Sequence, residues 1–249
     1  MTIFMLIHGS WHNGTVWRKV QHLLDGKSVV SYAPTLTGFE SFSSPAAPTI
    51  GLHTHIQDIV QLIQDRALDQ VILVGHSYGG MILSGVADLI PAQIAQLVYL
   101  DAFIPDSNQS LFDIMGVEQS AQMRKALVNA EGRSLKDGAE SVWLLPPGNP
   151  QDYGVSDSND VAWLQTEMPY TPVLTFEEGV MLGNPAALAT PKYFIRCTAF
   201  DYLAAQEQKA IAANWKTYQL PTGHDAMVTM PEALVDILLE IAQLPQISS

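Results

Sequence analysis

The sequence predicts an α/β protein with a mainly parallel sheet of about six strands, flanked by helices and interrupted by one inserted helical segment. Three observations carry this reading. Short apolar runs alternate with segments of helical period along most of the chain, the pattern of strands covered on both faces. One run, Val71-Ile72-Leu73-Val74, enters a glycine-rich turn and then a helical pattern. From 106 to 189 the alternation stops.

The elements follow in order. Residues 2–7 read as a first strand, and 14–24 as a helix carrying Val16, Val20, Leu23 and Leu24. Residues 28–33 form a second strand, ended by Pro34, which cannot donate to a ladder. Ile56, Ile59, Val60 and Ile63 recur at helical spacing and place a helix over 52–67. Residues 71–74 are a strand, 78–89 a helix and 95–100 a further strand. The last strands are 193–197 and 215–220, with a helix over 204–213 between them. A final helix covers 231–243, with Pro231 pre-set for its first turn. Within 106–189 the helix-like pieces are 117–130, 134–143, 158–166 and 184–189, with no convincing strand. The expected organisation is therefore a core of 1–105 and 190–249, with 106–189 as a helical cap.

Composition narrows the function. The 249 residues hold 25 Asp and Glu against 12 Lys and Arg, a formal charge of −13. That balance repels phosphate backbones and anionic lipid, so neither nucleic acid nor a membrane surface is the expected partner. A neutral or cationic small molecule fits better, with homodimer formation left open. Cys197 is the sole cysteine, which excludes an intrachain disulfide and a multi-cysteine metal site. The first residues lack the basic region and cleavage site of a signal peptide. No apolar run reaches the ~18 residues that span a bilayer. The cytoplasm is the expected location.

The chemistry centres on Gly75-His76-Ser77-Tyr78-Gly79, a G-x-S-x-G match. Chance gives about 0.1 such matches in a chain of this length, and the strand before and helix after supply the context the motif needs. The sharp turn leaves no room for side chains two residues either side of Ser77, and it presents the Ser77 hydroxyl at the mouth of a pocket. A serine needs a base. On such an elbow the acid and then the histidine follow in chain order, and of seven histidines only His224 lies beyond Ser77. His53 and His55 form an H-x-H pair near Asp58, but residues two apart do not share a helix face, so no metal is expected there. The acid is expected after the penultimate strand, at Asp201, where it would hold the imidazole tautomer. Asp101, at the end of Leu97-Val98-Tyr99-Leu100, is the rival. Two backbone amides, of Ser10 and Tyr78, are expected to form the oxyanion hole. Trp11, Phe103, Trp143 and Trp163, with Met115, Tyr153 and Tyr170, are candidates to line an apolar pocket.

These pieces resemble the α/β-hydrolase superfamily, and more closely the branch of plant methylesterases, hydroxynitrile lyases and related bacterial esterases. The matching segments are Leu6-Ile7-His8-Gly9-Ser10-Trp11-His12, Val74 to Met81, Leu100-Asp101-Ala102-Phe103-Ile104-Pro105-Asp106, Cys197-Thr198 leading to Asp201, and Gly223-His224. The resemblance implies a small helical cap over the core, and catalysis without metal or organic cofactor. It also implies two departures from the lyases, which carry threonine where this chain has Gly9 and lysine where it has Asp225. A carboxylate there would repel cyanide and, if it faces the pocket, anionic substrates. The leading expectation is a serine carboxylester hydrolase acting on a small, mostly apolar ester through an acyl-enzyme. A hydroxynitrile lyase, or a ligand-sensing scaffold with incidental turnover, is the alternative.

Overall fold

The computed structural model describes residues 2–40, 49–129 and 143–244. The chain opens with β1 (Ile3–Ile7), a 3-10 turn at Gly14–Trp17 and α1 (Arg18–Asp25), then β2 (Val30–Tyr32) and α2 (Leu52–Asp65). β3 (Val71–His76) leads through the glycine-rich turn to α3 (Gly79–Leu89), and β4 (Ile94–Leu100) follows. The inserted stretch holds β5 (Gln109–Ser110), α4 (Leu111–Met115), α5 (Val117–Lys125), β6 (Val128–Asn129), β7 (Trp143–Leu145), α6 (Ser158–Glu167), β8 (Thr171–Pro172), α7 (Leu174–Glu177), β9 (Gly179–Val180) and α8 (Pro185–Ala189). The chain returns to the core with β10 (Lys192–Cys197), α9 (Ala204–Ala212), β11 (Lys216–Leu220), α10 (Ala226–Thr229) and α11 (Pro231–Gln243).

Six strands form one sheet in the order β11-β10-β4-β3-β1-β2, and every pairing in it is parallel. The period-2 alternation of side chains splits each strand between two cores. Met5, Ile7, Leu73, Leu97 and Tyr99 pack with α2 and α3 on one face. Phe4, Leu6, Ile72, Val74, Val98 and Leu100 pack with α1 and α11 on the other. That is why β3 reads as a continuous apolar run: all six of its residues are buried. α2 lays Ile56, Ile59, Val60 and Ile63 onto the sheet, and α11 does the same with Leu234, Val235, Leu238 and Ile241. No helix among the described residues is long and apolar enough to cross a membrane.

The inserted stretch departs from expectation. Helices do occupy 117–125, 158–167 and 185–189, while the helix expected near 134–143 falls almost wholly outside the described residues. Short strands also occur there. β5 pairs antiparallel with β9, and β6, β7 and β8 form a small antiparallel sheet. These strands are two or three residues long and pair across wide gaps, Leu144 with Pro172 for example, so no periodicity marks them in the sequence.

Parallel connections bring the C-terminal ends of β1, β3, β4 and β10 to one edge of the sheet. Open α/β sheets bind ligands at that edge.

Candidate active site

Ser77 stands where β3 ends, in the left-handed region with φ 56°. Its amide donates to Leu100 O (3.3 Å), and its own carbonyl accepts from the amides of Gly80 and Phe103 (3.1 Å each). The elbow is thus clamped to the end of β4. Its tightness explains Gly75: a Cβ there would stand 2.5 Å from the Gly79 carbonyl oxygen. Gly9 works the same way in the loop after β1, where a Cβ would come within 2.8 Å of Ser77 Cβ. That closeness sets Ser10 beside the serine. The Trp11 amide, one residue on, is engaged by Thr171 Oγ1 at 2.9 Å.

His224, in the loop after β11, is 6% exposed. Its Nδ1–H donates to Asp101 Oδ2 at 2.7 Å, which leaves Nε2 as the basic nitrogen. Asp101 is fully buried and sits just past β4 with φ 39°. The expectation that Asp201 holds the imidazole is therefore corrected. Asp201 opens a 3-10 turn that carries its side chain outward, 99% exposed, within 3.6 Å of Arg196 Nη2. The residue before it, Phe200, stacks its ring on His224 at 4.6 Å and covers the imidazole face. The sequence held one signal for this: Arg196 interrupts the apolar run of Tyr193 to Cys197. A cation so deeply buried demands a buried anion, and Arg196 Nη1 donates to Asp101 Oδ1 at 3.0 Å.

Ser10, Ser77 and His224 line one cavity of about 920 Å³. Trp11 and Phe103 line it, together with Met115, Tyr153, Phe176 and Phe200. The Trp11 ring lies near-parallel to that of Tyr153 and its Nε1–H donates to Leu145 O at 3.1 Å, which ties the inserted stretch to the core above the serine. Trp143 and Trp163, expected in this lining, are elsewhere. Trp143, the first residue of β7, is partly buried against the core cluster on the α2 and α3 face, and Trp163 lies under the Arg18 guanidinium, 3.4 Å from the ring centre. None of the described residues lining the cavity is Lys or Arg, and Glu118 is the charged carboxylate among them.

Beside the site lies a buried pair, His12 and Asp225, that the sequence does not reveal. Asp225 is fully buried, faces neither pocket nor solvent, and accepts from His12 Nε2–H at 3.3 Å. His12 Nδ1–H donates to Ser10 O at 2.9 Å. Burial alone would lower the His12 pKa, but the Asp225 charge and hydrogen bond outweigh it and raise it. His76 Nε2–H donates to His224 O at 3.1 Å. His12, His76 and Asp225 have donor atoms within 4.8 Å of one another, and these hydrogen bonds account for both Nε2 atoms. Residues 12 and 225 are 213 apart in sequence, too far for spacing to reveal the pair.

Three other histidines are neutral and buried. His8 donates from Nδ1 to Gly9 O and accepts the Leu36 amide at Nε2; burial pushes its pKa down to about 3. His55 donates to Thr37 O and accepts from the Tyr78 hydroxyl, and burial lowers its pKa to about 4. His76 is also lowered, first by burial and then by the charge of His224. In the unfolded chain all three titrate near 6.5. Below that pH the unfolded state binds more protons, so each group withdraws about 1.4 kcal/mol of stability per pH unit until its folded pKa is reached. His12 adds no slope there, since below 6.5 it is protonated in both states. Thermal melts between pH 7.5 and 4.5 should show Tm falling steeply from pH 6.5 downward. A Tm flat to pH 5 would contradict the neutral assignment.

Residues 4–237 match the model of the alpha/beta hydrolase family. The carbendazim hydrolyzing esterase of Nocardioides sp. (strain SG-4G) is 30% identical over 244 residues, covering 96% of this chain and 98% of that protein. Salicylic acid-binding protein 2 of Nicotiana tabacum is 35% identical over 275 residues, 96% of each chain. The crystal structure of the methylesterase MES16 from Arabidopsis superposes with a TM-score of 0.75 at 21% identity, over 97% of this chain and 99% of that one. The chain belongs to the alpha/beta hydrolase family and is a hydrolase of the esterase type.

Proposed function

We propose that the protein hydrolyses neutral carboxylic esters through an acyl-enzyme on Ser77. The observation that carries this reading is the His224 Nδ1–Asp101 Oδ2 hydrogen bond of 2.7 Å beside the cavity that Ser77 also lines. With Nδ1 committed to Asp101, Nε2 takes the Ser77 proton as Oγ attacks the carbonyl carbon. The Ser10 and Tyr78 amides stabilise the resulting oxyanion. Collapse expels the alcohol, protonated by His224, and water activated by the same nitrogen releases the acid. The apolar aromatic walls and the absence of Lys or Arg from the described lining favour uncharged substrates over carboxylates. Asp225, turned to His12, supplies no cation for a leaving cyanide, so the lyase reading gains no support.

The test is a panel of p-nitrophenyl and benzyl esters whose acyl and alcohol parts vary independently, with a hemisuccinate as the anionic member. Neutral esters should turn over, and the hemisuccinate should be at least about tenfold poorer in kcat/KM, a difference of the size one unfavourable charge contact makes. Failure to hydrolyse any member, with a fluorophosphonate leaving Ser77 unlabelled, would sink the proposal.

A further inference from the structure

We propose that Arg196 is a positioning residue for this reaction: it clamps Asp101 Oδ1 and thereby fixes the carboxylate that orients His224. The inference rests on the reading of Ser77, His224 and Asp101 given above.

The geometry divides the two carboxylate oxygens. Oδ1 accepts from Arg196 Nη1 at 3.0 Å and from the Cys197 amide at 3.1 Å, while among the described residues Oδ2 accepts from His224 Nδ1, at 2.7 Å. Arg196 Nη1 also donates to the Cys197 carbonyl, so guanidinium, Cys197 backbone and carboxylate form a closed ring. The strands hold this ring rigidly: β10 pairs with β4, and the Asp101 amide donates to Ile195 O at 2.7 Å. With Oδ1 occupied twice, the carboxylate cannot turn, and one oxygen faces the imidazole in one direction.

Arg196 is 2% exposed and Asp101 is fully buried, so neither charge is compensated by water. Several packed elements bring charged or titratable groups to the pair. Asp101, from β4, faces Arg196 and His224. Arg196 faces Asp101, Glu207 of α9 at 4.0 Å and the exposed Asp201 at 3.6 Å. His224 faces Asp101 and the His76 ring at 4.3 Å, and its neighbour Asp225 is engaged by His12. The guanidinium therefore offsets part of the negative charge that the His224 imidazolium meets during turnover. Removing it should favour the imidazolium.

The experiment measures kcat, KM and the pH profile of kcat/KM on a neutral p-nitrophenyl ester for R196Q, R196K, D101N and R196Q/D101N, with circular dichroism confirming the fold of each. R196Q should lower kcat by about tenfold to 100-fold with KM little changed, and raise the acidic-limb pKa by about one unit. R196K, which keeps the charge but not the forked clamp, should lose kcat while keeping the wild-type acidic limb. In the D101N background R196Q should cost nothing further, because its action runs through Asp101. An unchanged kcat and acidic limb in R196Q overturns the inference, as does an equal loss with and without Asp101, the mark of a merely structural arginine. If R196Q does not fold, a wild-type kcat in R196K overturns it alone. A D101N enzyme within tenfold of wild type would instead reject the underlying triad reading, so the two failures are distinguishable.

Discussion

Asp101→Asn is expected to lower kcat by about 10³ to 10⁴-fold, the loss seen when a triad carboxylate becomes an amide, while Asp201→Asn stays within about twofold of wild type. The asymmetry follows from what each side chain touches. Asp101 Oδ2 accepts the His224 Nδ1 proton. An amide there accepts less strongly, and when its NH₂ faces the ring it selects the tautomer with Nε2 protonated, which cannot take a proton from Ser77. Asp201 is 99% exposed, and among the described residues its carboxylate meets Arg196 at 3.6 Å, a contact that water screens on the Asp201 side and that is worth little. Asp101→Asn also leaves Arg196 short of its closest anion, so stability should fall as well, by about 3–5 kcal/mol for a broken buried pair. Assays belong at a temperature where circular dichroism shows the variant fully folded. A crippled Asp201→Asn beside an active Asp101→Asn would overturn this assignment.

Ser77→Ala should remove hydrolysis, by at least about 10³-fold and up to about 10⁶ in kcat, with the fold retained. The serine is held by its backbone, through Leu100, Gly80 and Phe103, and those bonds survive the change. Alanine meets the left-handed φ of 56° at little more cost than serine does. A fluorophosphonate should add its mass to the Ser77 peptide of the wild-type enzyme and to no other. A variant keeping a tenth of wild-type turnover would place the nucleophile elsewhere.

The elbow was legible because it is local. A continuously apolar strand, a turn demanding glycine and a buried helix lie within 20 consecutive residues, so the steric reason for each residue can be read from its neighbours. His224, which the structure brings to Asp101, is the one histidine after Ser77 in the chain. The pocket aromatics were half legible: Trp11 and Phe103 sit on loops at strand ends, where the sheet dictates the position. Trp143 and Trp163 lie in the inserted stretch, whose short strands leave no pattern.

The sequence by itself determined the parallel sheet, its covered faces and the Ser77 elbow, because each rests on periodicity or on the sterics of one turn. Only the tertiary structure decided which carboxylate meets His224 and which charges are buried beside it. Asp101 and Asp201 follow neighbouring strands, β4 and β10, and both approach Arg196, so chain position does not separate them. A left-handed φ at Asp101 and the Phe200 ring over His224 do. The His12–Asp225 pair joins two loops from opposite ends of the chain. Such pairs depend on which strand ends meet across the sheet, a non-local property that no window of sequence contains.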